Sequence, residues 1–392
     1  MTEFFNTGLS QQQFLQQYWQ KKPLLIRQAF PGFESPISAE ELAGLACEPE
    51  IESRLIEEYG HDGNVWQVTS GPLSEDDFSR LPETHWTMLV QDIDKHLPEL
   101  QGLLDPFSFI PEWRRDDLMI SYAPEFGSVG PHTDAYDVFL LQAMGTRRWQ
   151  FDNQPTHEAK LIDGLDLQIL SEFTPDQIWD LQPGDMLYLP PHFAHHGVAV
   201  NECMTFSFGF RAPSSVDMLD ALVNTLLEQG QGKSRYQDPD LMLNQHGAEI
   251  DMHAVARLKQ MLHQAIDQAE PALVTAFGKF VSDTKPVLSA LAAEASTVLP
   301  STNELNAYFE QGQVLQRNLY HRFAWTANDM GGQLFMAGES YPVGLNGVSN
   351  LPILSEKNTL SISDWQGLLN DTESVNVLSQ LIAEGGWFWQ VD

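Results

Sequence analysis

The 392-residue sequence predicts an α+β chain. A double-stranded β-helix (jelly-roll) barrel is expected over residues 1–211, a helical segment over 212–283 and a mixed, winged-helix-like domain over 284–392. Three observations predict this. Short strands separated by glycine and proline turns fill the first half, and polar, ligand-capable side chains share one strand face, which suits a barrel with its site in the mouth. From Ser214 apolar residues recur at helical spacing. After about Ser301 helices lead into a terminal β-ribbon, the order of a winged helix.

Taken in order, Leu118-Met119-Ile120-Ser121-Tyr122 reads as a strand, the Gly127–Pro131 stretch as a tight turn and Val138-Phe139-Leu140-Leu141 as a short apolar strand. Met144-Gly145-Thr146 has the chemistry of a hairpin turn, with Arg147-Arg148-Trp149-Gln150-Phe151 returning. Pro183-Gly184-Asp185 turns the chain into Met186–Pro191, and the run His192–Gly197 follows. The next strand alternates, with Met204, Phe206, Phe208 and Phe210 facing one way and Thr205, Ser207, Gly209 and Arg211 the other. Val216, Leu219, Leu222, Val223, Leu226 and Leu227 mark a helix up to Gly230. A polar stretch runs to Pro239, and the helical period resumes over Ile250–Gln268 and Ala272–Val281. In the tail, Ser301 and Glu304 cap a helix. Strands are expected at Tyr320–Trp325 and Gln333–Ala337, helices near Ser363–Leu369 and Val375–Glu384, and a last strand at Trp387–Val391.

The chemistry is concentrated in His132-Thr133-Asp134. On a strand, a histidine and a carboxylate two apart point to the same face, and His195 from a later strand completes three donors on one side of a metal. Two imidazoles and one carboxylate with open positions suit non-haem Fe(II), which must hold a cosubstrate and O₂. With 12 histidines in the chain an isolated His-x-Asp carries little weight, and its surroundings supply the specificity.

Those surroundings, Gly130–Trp149 and Pro183–Gly197, resemble the JmjC-type, cupin-fold 2-oxoglutarate oxygenases. The leader Phe14-Leu15 to Tyr18-Trp19-Gln20-Lys21-Lys22-Pro23-Leu24-Leu25-Ile26-Arg27 is similar to that of the same family, nearest to its bacterial ribosomal oxygenases. The resemblance is specific over 1–211 and rests on domain order beyond. It implies that His132, Asp134 and His195 are the iron ligands. The pattern Pro-Pro-x-Phe-x-His-x-Gly selects His195 over its neighbour His196, which points the other way, and leaves His192 at the surface. His157, His253, His263 and His321 lack ligand spacing.

A 2-oxoglutarate cosubstrate needs a cation for its distal carboxylate, because an unpaired buried carboxylate is costly. Of the adjacent Arg147 and Arg148 only one faces inward, and Arg147 occupies the family's basic position, with a planar fork suited to a carboxylate. Thr205, where the family commonly has asparagine, and Ser207 share the polar face of their strand, and Ser128 precedes the donor set; all three are candidate cosubstrate contacts. Glu125 and Asp137 are the candidate carboxylates for a substrate guanidinium. The implied reaction converts 2-oxoglutarate and O₂ to succinate and CO₂ while hydroxylating an unactivated C–H bond, here the β-carbon of an arginine in a basic large-subunit ribosomal protein. The family also implies a homodimer formed through 212–283.

Composition narrows the alternatives. Asp plus Glu total 54 against 21 Lys plus Arg, a formal charge of −33. Such a field repels nucleic acid and draws in basic partners. It argues against a tRNA substrate and, with few basic residues in the tail beyond Arg317, Arg322 and Lys357, against direct DNA binding. Another basic protein as substrate, or a non-catalytic cupin-like binding module, are the competing readings; the donor triad with Arg147 argues against the latter. Cys47 and Cys203 are far apart and need not pair. No apolar run reaches 18 residues and Met1–Phe5 lacks a basic leader, so a soluble, cytoplasmic chain without membrane contact is expected.

Overall fold

The computed structural model describes residues 3–59, 65–156, 158–165, 167–243, 246–292 and 298–390; His157 and Val391 lie outside them. The chain divides into two compact units, Met1–Ala212 and Pro213–Asp392.

In the first unit, eleven strands build two facing antiparallel sheets among the described residues. They are β1 (Leu24–Ile26), β2 (Ser53–Tyr59), β3 (Val65–Ser70), β4 (Trp86–Val90), β5 (Arg115–Ala123), β6 (Asp137–Met144), β7 (Arg147–Pro155), β8 (Gln177–Leu181), β9 (Met186–Leu189), β10 (Phe193–Ala199) and β11 (Cys203–Phe210). The large sheet runs β1-β9-β6-β11-β5-β4-β2-β3 and the small one β10-β7-β8. Helices α1 (Gln11–Gln17), α2 (Ala39–Ala46), α3 (Glu75–Ser79) and α4 (Ile93–His96) accompany them. The first three start at serine capping boxes (Ser10, Ser38, Ser74), which satisfy backbone N–H groups that a helix start leaves without partners.

Period-2 alternation explains why the central strands are apolar throughout. Phe139, Leu141, Met186, Tyr188, Met204, Phe206, Phe208 and Phe210 point to the outer face of the large sheet, where Phe4, Phe14, Leu42, Leu104 and Phe107 cover them. Val138, Leu140, Leu187 and Leu189 point inward against Trp149, Phe151 and Leu181 of the small sheet. Burying each such side chain contributes roughly 1.5–3 kcal/mol.

Two local expectations change. Met144-Gly145-Thr146 is not a hairpin: β6 pairs with β9 and β11, whereas β7 pairs with β8 and β10, so the turn carries the chain from one sheet to the other. Gly145 permits this at φ +63°, where an added Cβ would meet the Glu202 carbonyl at 1.9 Å. Gly127–Pro131 is an extended loop, the tight turn lying earlier at Glu125-Phe126.

The second unit contains α5 (Ser215–Glu228), α6 (Met252–Gln268), α7 (Glu270–Ser282), α8 (Pro286–Leu291), α9 (Thr302–Glu310), α10 (Leu351–Glu356), α11 (Ile362–Leu368) and α12 (Thr372–Ala383). Its strands are β12 (Leu315–Arg317), β13 (Phe323–Asn328), β14 (Gly331–Met336), β15 (Glu339–Val343), β16 (Thr359–Leu360) and β17 (Trp387–Trp389). They form two three-stranded sheets, β16-β12-β17 and β13-β14-β15. Phe309, Leu334, Trp365, Leu378 and Trp387 share one core between them. Within this unit α7 lies on β13–β15, with Gly278 so close to the Phe335 ring that a Cβ would sit 2.3 Å from it. No described helix is long and apolar enough to cross a membrane.

Candidate metal and cosubstrate site

His132 and Asp134 do not lie on a strand. They occupy the loop before β6, and their convergence with His195 has a different cause. A single antiparallel bridge pins the loop to β10, with His132 N–H donating to His195 O at 3.0 Å and His195 N–H to His132 O at 2.9 Å. His192 N–H then donates to the Asp134 carbonyl at 2.6 Å. Gly130, at φ +80°, sets the loop's path against Ile169, 2.9 Å from where a Cβ would stand. The result brings one donor atom from each of His132, Asp134 and His195 within 4.8 Å of one another.

The imidazoles are oriented for ligation. His132 Nδ1 faces Gly130 O at 3.0 Å and His195 Nδ1 faces Phe193 O at 2.9 Å. A carbonyl only accepts, so each Nδ1 carries the proton and each Nε2 presents its lone pair to the shared centre. The two Nε2 atoms lie 3.8 and 3.5 Å from the Asp134 oxygens. Burial, reinforced by His132, pushes the His195 pKa down to about 4, which keeps the ring neutral near pH 7. Half-exposed Tyr136 hydrogen-bonds Asp134; that carboxylate's charge, then burial, holds the phenol protonated far above its usual range.

His196 turns away: its Nε2 meets Ser128 Oγ at 2.9 Å, and His192 is exposed. Ser128 is therefore not free to meet a cosubstrate, because it also accepts from Gly130 N–H at 3.0 Å and braces the loop. Asp137 is likewise corrected. It is fully buried on β6, paired with Arg114 at 3.0 Å and accepting from Tyr188 Oη at 2.6 Å and Gln20 Nε2 at 2.9 Å, so no substrate guanidinium reaches it. Glu125 sits at the wrong end of the barrel. The next residue, Phe126, bonds to Ala199, four positions past His195 on β10 and so about 13 Å away. Besides Asp134, Asp117 and Asp116 at the start of β5 are carboxylates whose charges reach Tyr136.

Arg147 and Arg148 divide as alternation requires. Arg148 is on the outside, forked onto Asp180 at 2.8 and 2.9 Å. Arg147 is 2% exposed and enters the barrel, donating from Nη2 to Gly197 O at 3.1 Å while Nε and Nη1 have no acceptor. Gly197 is required there, since a Cβ would stand 2.7 Å from Arg147 Nε. Thr205 and Ser207 are buried on the inward face of β11, Thr205 Oγ1 donating to Gln142 Oε1 at 3.1 Å. Sequence reasoning passed over Ser121, Gln142 and Trp149 on neighbouring inward positions. Trp149, two residues after Arg147, carried the period-2 signal that finds it.

An orphaned buried guanidinium fits a carboxylate brought by a ligand, and two imidazoles with a carboxylate fit a divalent first-row metal. A JmjC domain model matches residues 102–218 and a ROXA-like winged-helix model residues 260–388. The chain is 33% identical to the ribosomal protein uL16 3-hydroxylase of Escherichia coli, across 96% of this chain and 97% of that one. It is 40% identical to a probable ribosomal oxygenase of Haemophilus influenzae over 59% of this chain and 55% of the relative. The X-ray structure of E. coli YcfD superposes with a TM-score of 0.81 at 32% identity, covering 98% and 99% of the two chains. The E. coli ribosomal oxygenase in complex with cobalt and 2-oxoglutarate superposes with a TM-score of 0.79 at 31% identity over 98% and 99%. With its jelly-roll barrel, donor triad, buried arginine and winged-helix tail, the chain belongs to the JmjC-domain ribosomal oxygenase family.

Proposed function

We propose that this protein is an Fe(II)- and 2-oxoglutarate-dependent hydroxylase that modifies an arginine β-carbon of a basic large-subunit ribosomal protein. His132, Asp134 and His195 hold the metal, and Arg147 holds the distal carboxylate of 2-oxoglutarate, with Thr205 and Ser207 beside it. The observation that carries the reading is Arg147: a buried guanidinium with two unpartnered N–H-bearing nitrogens, on the sheet that also presents His195.

Iron bound there supplies oxygen activation coupled to decarboxylation of 2-oxoglutarate to succinate and CO₂. The chain does the rest. Gly130 O and Phe193 O keep both histidines in the ligating tautomer, and Tyr136 orients Asp134. Val138, Leu140, Phe151 and Leu189 wall the interior against water. A −33 chain draws in a basic substrate. Mass spectrometry of ribosomal proteins incubated with enzyme, Fe(II) and 2-oxoglutarate should show one added oxygen on an arginine of one large-subunit protein. No added oxygen on any of them would overturn the reading.

We further propose the expected division into 1–211, 212–283 and 284–392, with 212–283 forming a homodimer. Val216, Leu219, Val223 and Leu227 on α5, and Met252, Val255, Leu258 and Leu262 on α6, are all exposed, an apolar surface that a monomer rarely carries. Light scattering at micromolar concentration should give twice the chain mass; a monomer would sink the proposal.

A further inference from the structure

Trp149 follows Arg147 by two residues on β7, so its side chain enters the barrel on the same face, roughly 6.6 Å further along the strand. It is 5% exposed, and its indole Nε1 has no acceptor. Nearby polar groups already have partners. Thr205 Oγ1 donates to Gln142 Oε1, Gln142 Nε2 to Met144 O, and Ser121 Oγ to Thr205 O. The inward face of β7 thus presents a row of buried nitrogen donors, Arg147 Nε, Arg147 Nη1 and Trp149 Nε1, for which the protein supplies no acceptor. Folded interiors seldom leave such groups unmatched, so the set calls for a ligand that brings acceptors and negative charge to both residues.

The ring's placement agrees. Its centroid lies 5.3 Å from Arg147 Cζ and 5.9 Å from the His195 ring, between the guanidinium and the metal donors. A Cβ at Gly197 would be 2.7 Å from Trp149 Cη2 and Cζ3, so that edge of the indole is pressed on the β10 backbone. The opposite edge, which carries Nε1, faces away from β10.

We propose that Trp149 Nε1–H donates a hydrogen bond to a carboxylate oxygen of 2-oxoglutarate, making Trp149 a cosubstrate-binding residue beside Arg147. The inference rests on the reading of this interior as the 2-oxoglutarate site. A tryptophan that only fills the core with Leu140, Phe151 and Leu189 would not sense the cosubstrate.

The experiment uses the full-length Zn(II)-loaded protein with ¹⁵N-labelled indoles, titrated with 2-oxoglutarate and followed by indole N–H correlation spectra and calorimetry. One of the ten tryptophan indole signals should move downfield in step with binding, and Trp149→Phe should remove that signal. Trp149→Phe should also weaken 2-oxoglutarate binding about tenfold, the scale of one hydrogen bond to a charged group, with Zn(II) affinity unchanged. If calorimetry shows wild-type binding while no indole signal moves downfield, this proposal fails and the cosubstrate site stands. If the wild-type protein binds no 2-oxoglutarate, the underlying reading fails with it. The wild-type spectrum decides even where the variant does not fold.

Discussion

Replacing His195 by alanine should weaken Mn(II) or Fe(II) binding at least about 100-fold and abolish turnover, whereas His196→Ala should leave metal affinity nearly intact. The lower bound follows from the 10–100-fold that loss of even an outer partner of a ligand costs. His195 Nε2 lies 3.5 Å from an Asp134 oxygen with its Nδ1 tied to Phe193 O, while His196 is spent on Ser128. Removing His196 takes one of the two hydrogen bonds from Ser128 Oγ and should cost about 1 kcal/mol of stability, read as a lower Tm without loss of metal. Equal metal loss for His196→Ala, with none for His195→Ala, would reverse the assignment. Metal titration of both variants by electron paramagnetic resonance settles it.

Arg147→Ala should raise the KM for 2-oxoglutarate strongly at unchanged metal affinity. Truncating one partner of a buried, hydrogen-bonded charge pair costs about 2–5 kcal/mol, which at 1.4 kcal/mol per decade is roughly thirty-fold to several thousand-fold. Metal affinity is spared because Arg147 pairs across β10 with Ala199, four residues from His195. Stability gives a second readout. Without cosubstrate, Arg147 is a buried cation with two unpartnered nitrogens, so its removal should leave the Tm of the cosubstrate-free protein unchanged or higher. Arg114→Ala, which strands the buried Asp137 carboxylate, should lower it. An unchanged 2-oxoglutarate KM in Arg147→Ala would remove Arg147 from cosubstrate binding.

The barrel strands were legible because their signal is local. Alternation along β11 puts Phe206 and Phe208 on one face and Thr205 and Ser207 on the other, and the same period sends Arg147 inward and Arg148 out. Helical stripes in α5–α7 and the Ser301 cap were legible for the same reason. The donor triad was legible by motif, although the strand geometry first ascribed to it is absent: His132 and Asp134 face the centre because one bridge to β10 fixes their loop.

The N-terminal strands β2 to β4 were not distinguished: they pair with one another and join the barrel only through β4 on β5, a contact between separate segments of the chain. Nor was the sheet change at Gly145, where a hairpin and a crossover share the same turn residues. Asp137 shows the limit most clearly. Three residues from Asp134 it reads as a substrate carboxylate, but Gln20, Arg114 and Tyr188 arrive from three distant segments and enclose it. By itself the sequence determined which side chains share a face, and through its motifs the donor set and the family. Only the tertiary structure decided which carboxylates are enclosed and which buried donors remain unpaired, because hydrogen-bond partners and desolvation are set by contacts between remote parts of the chain.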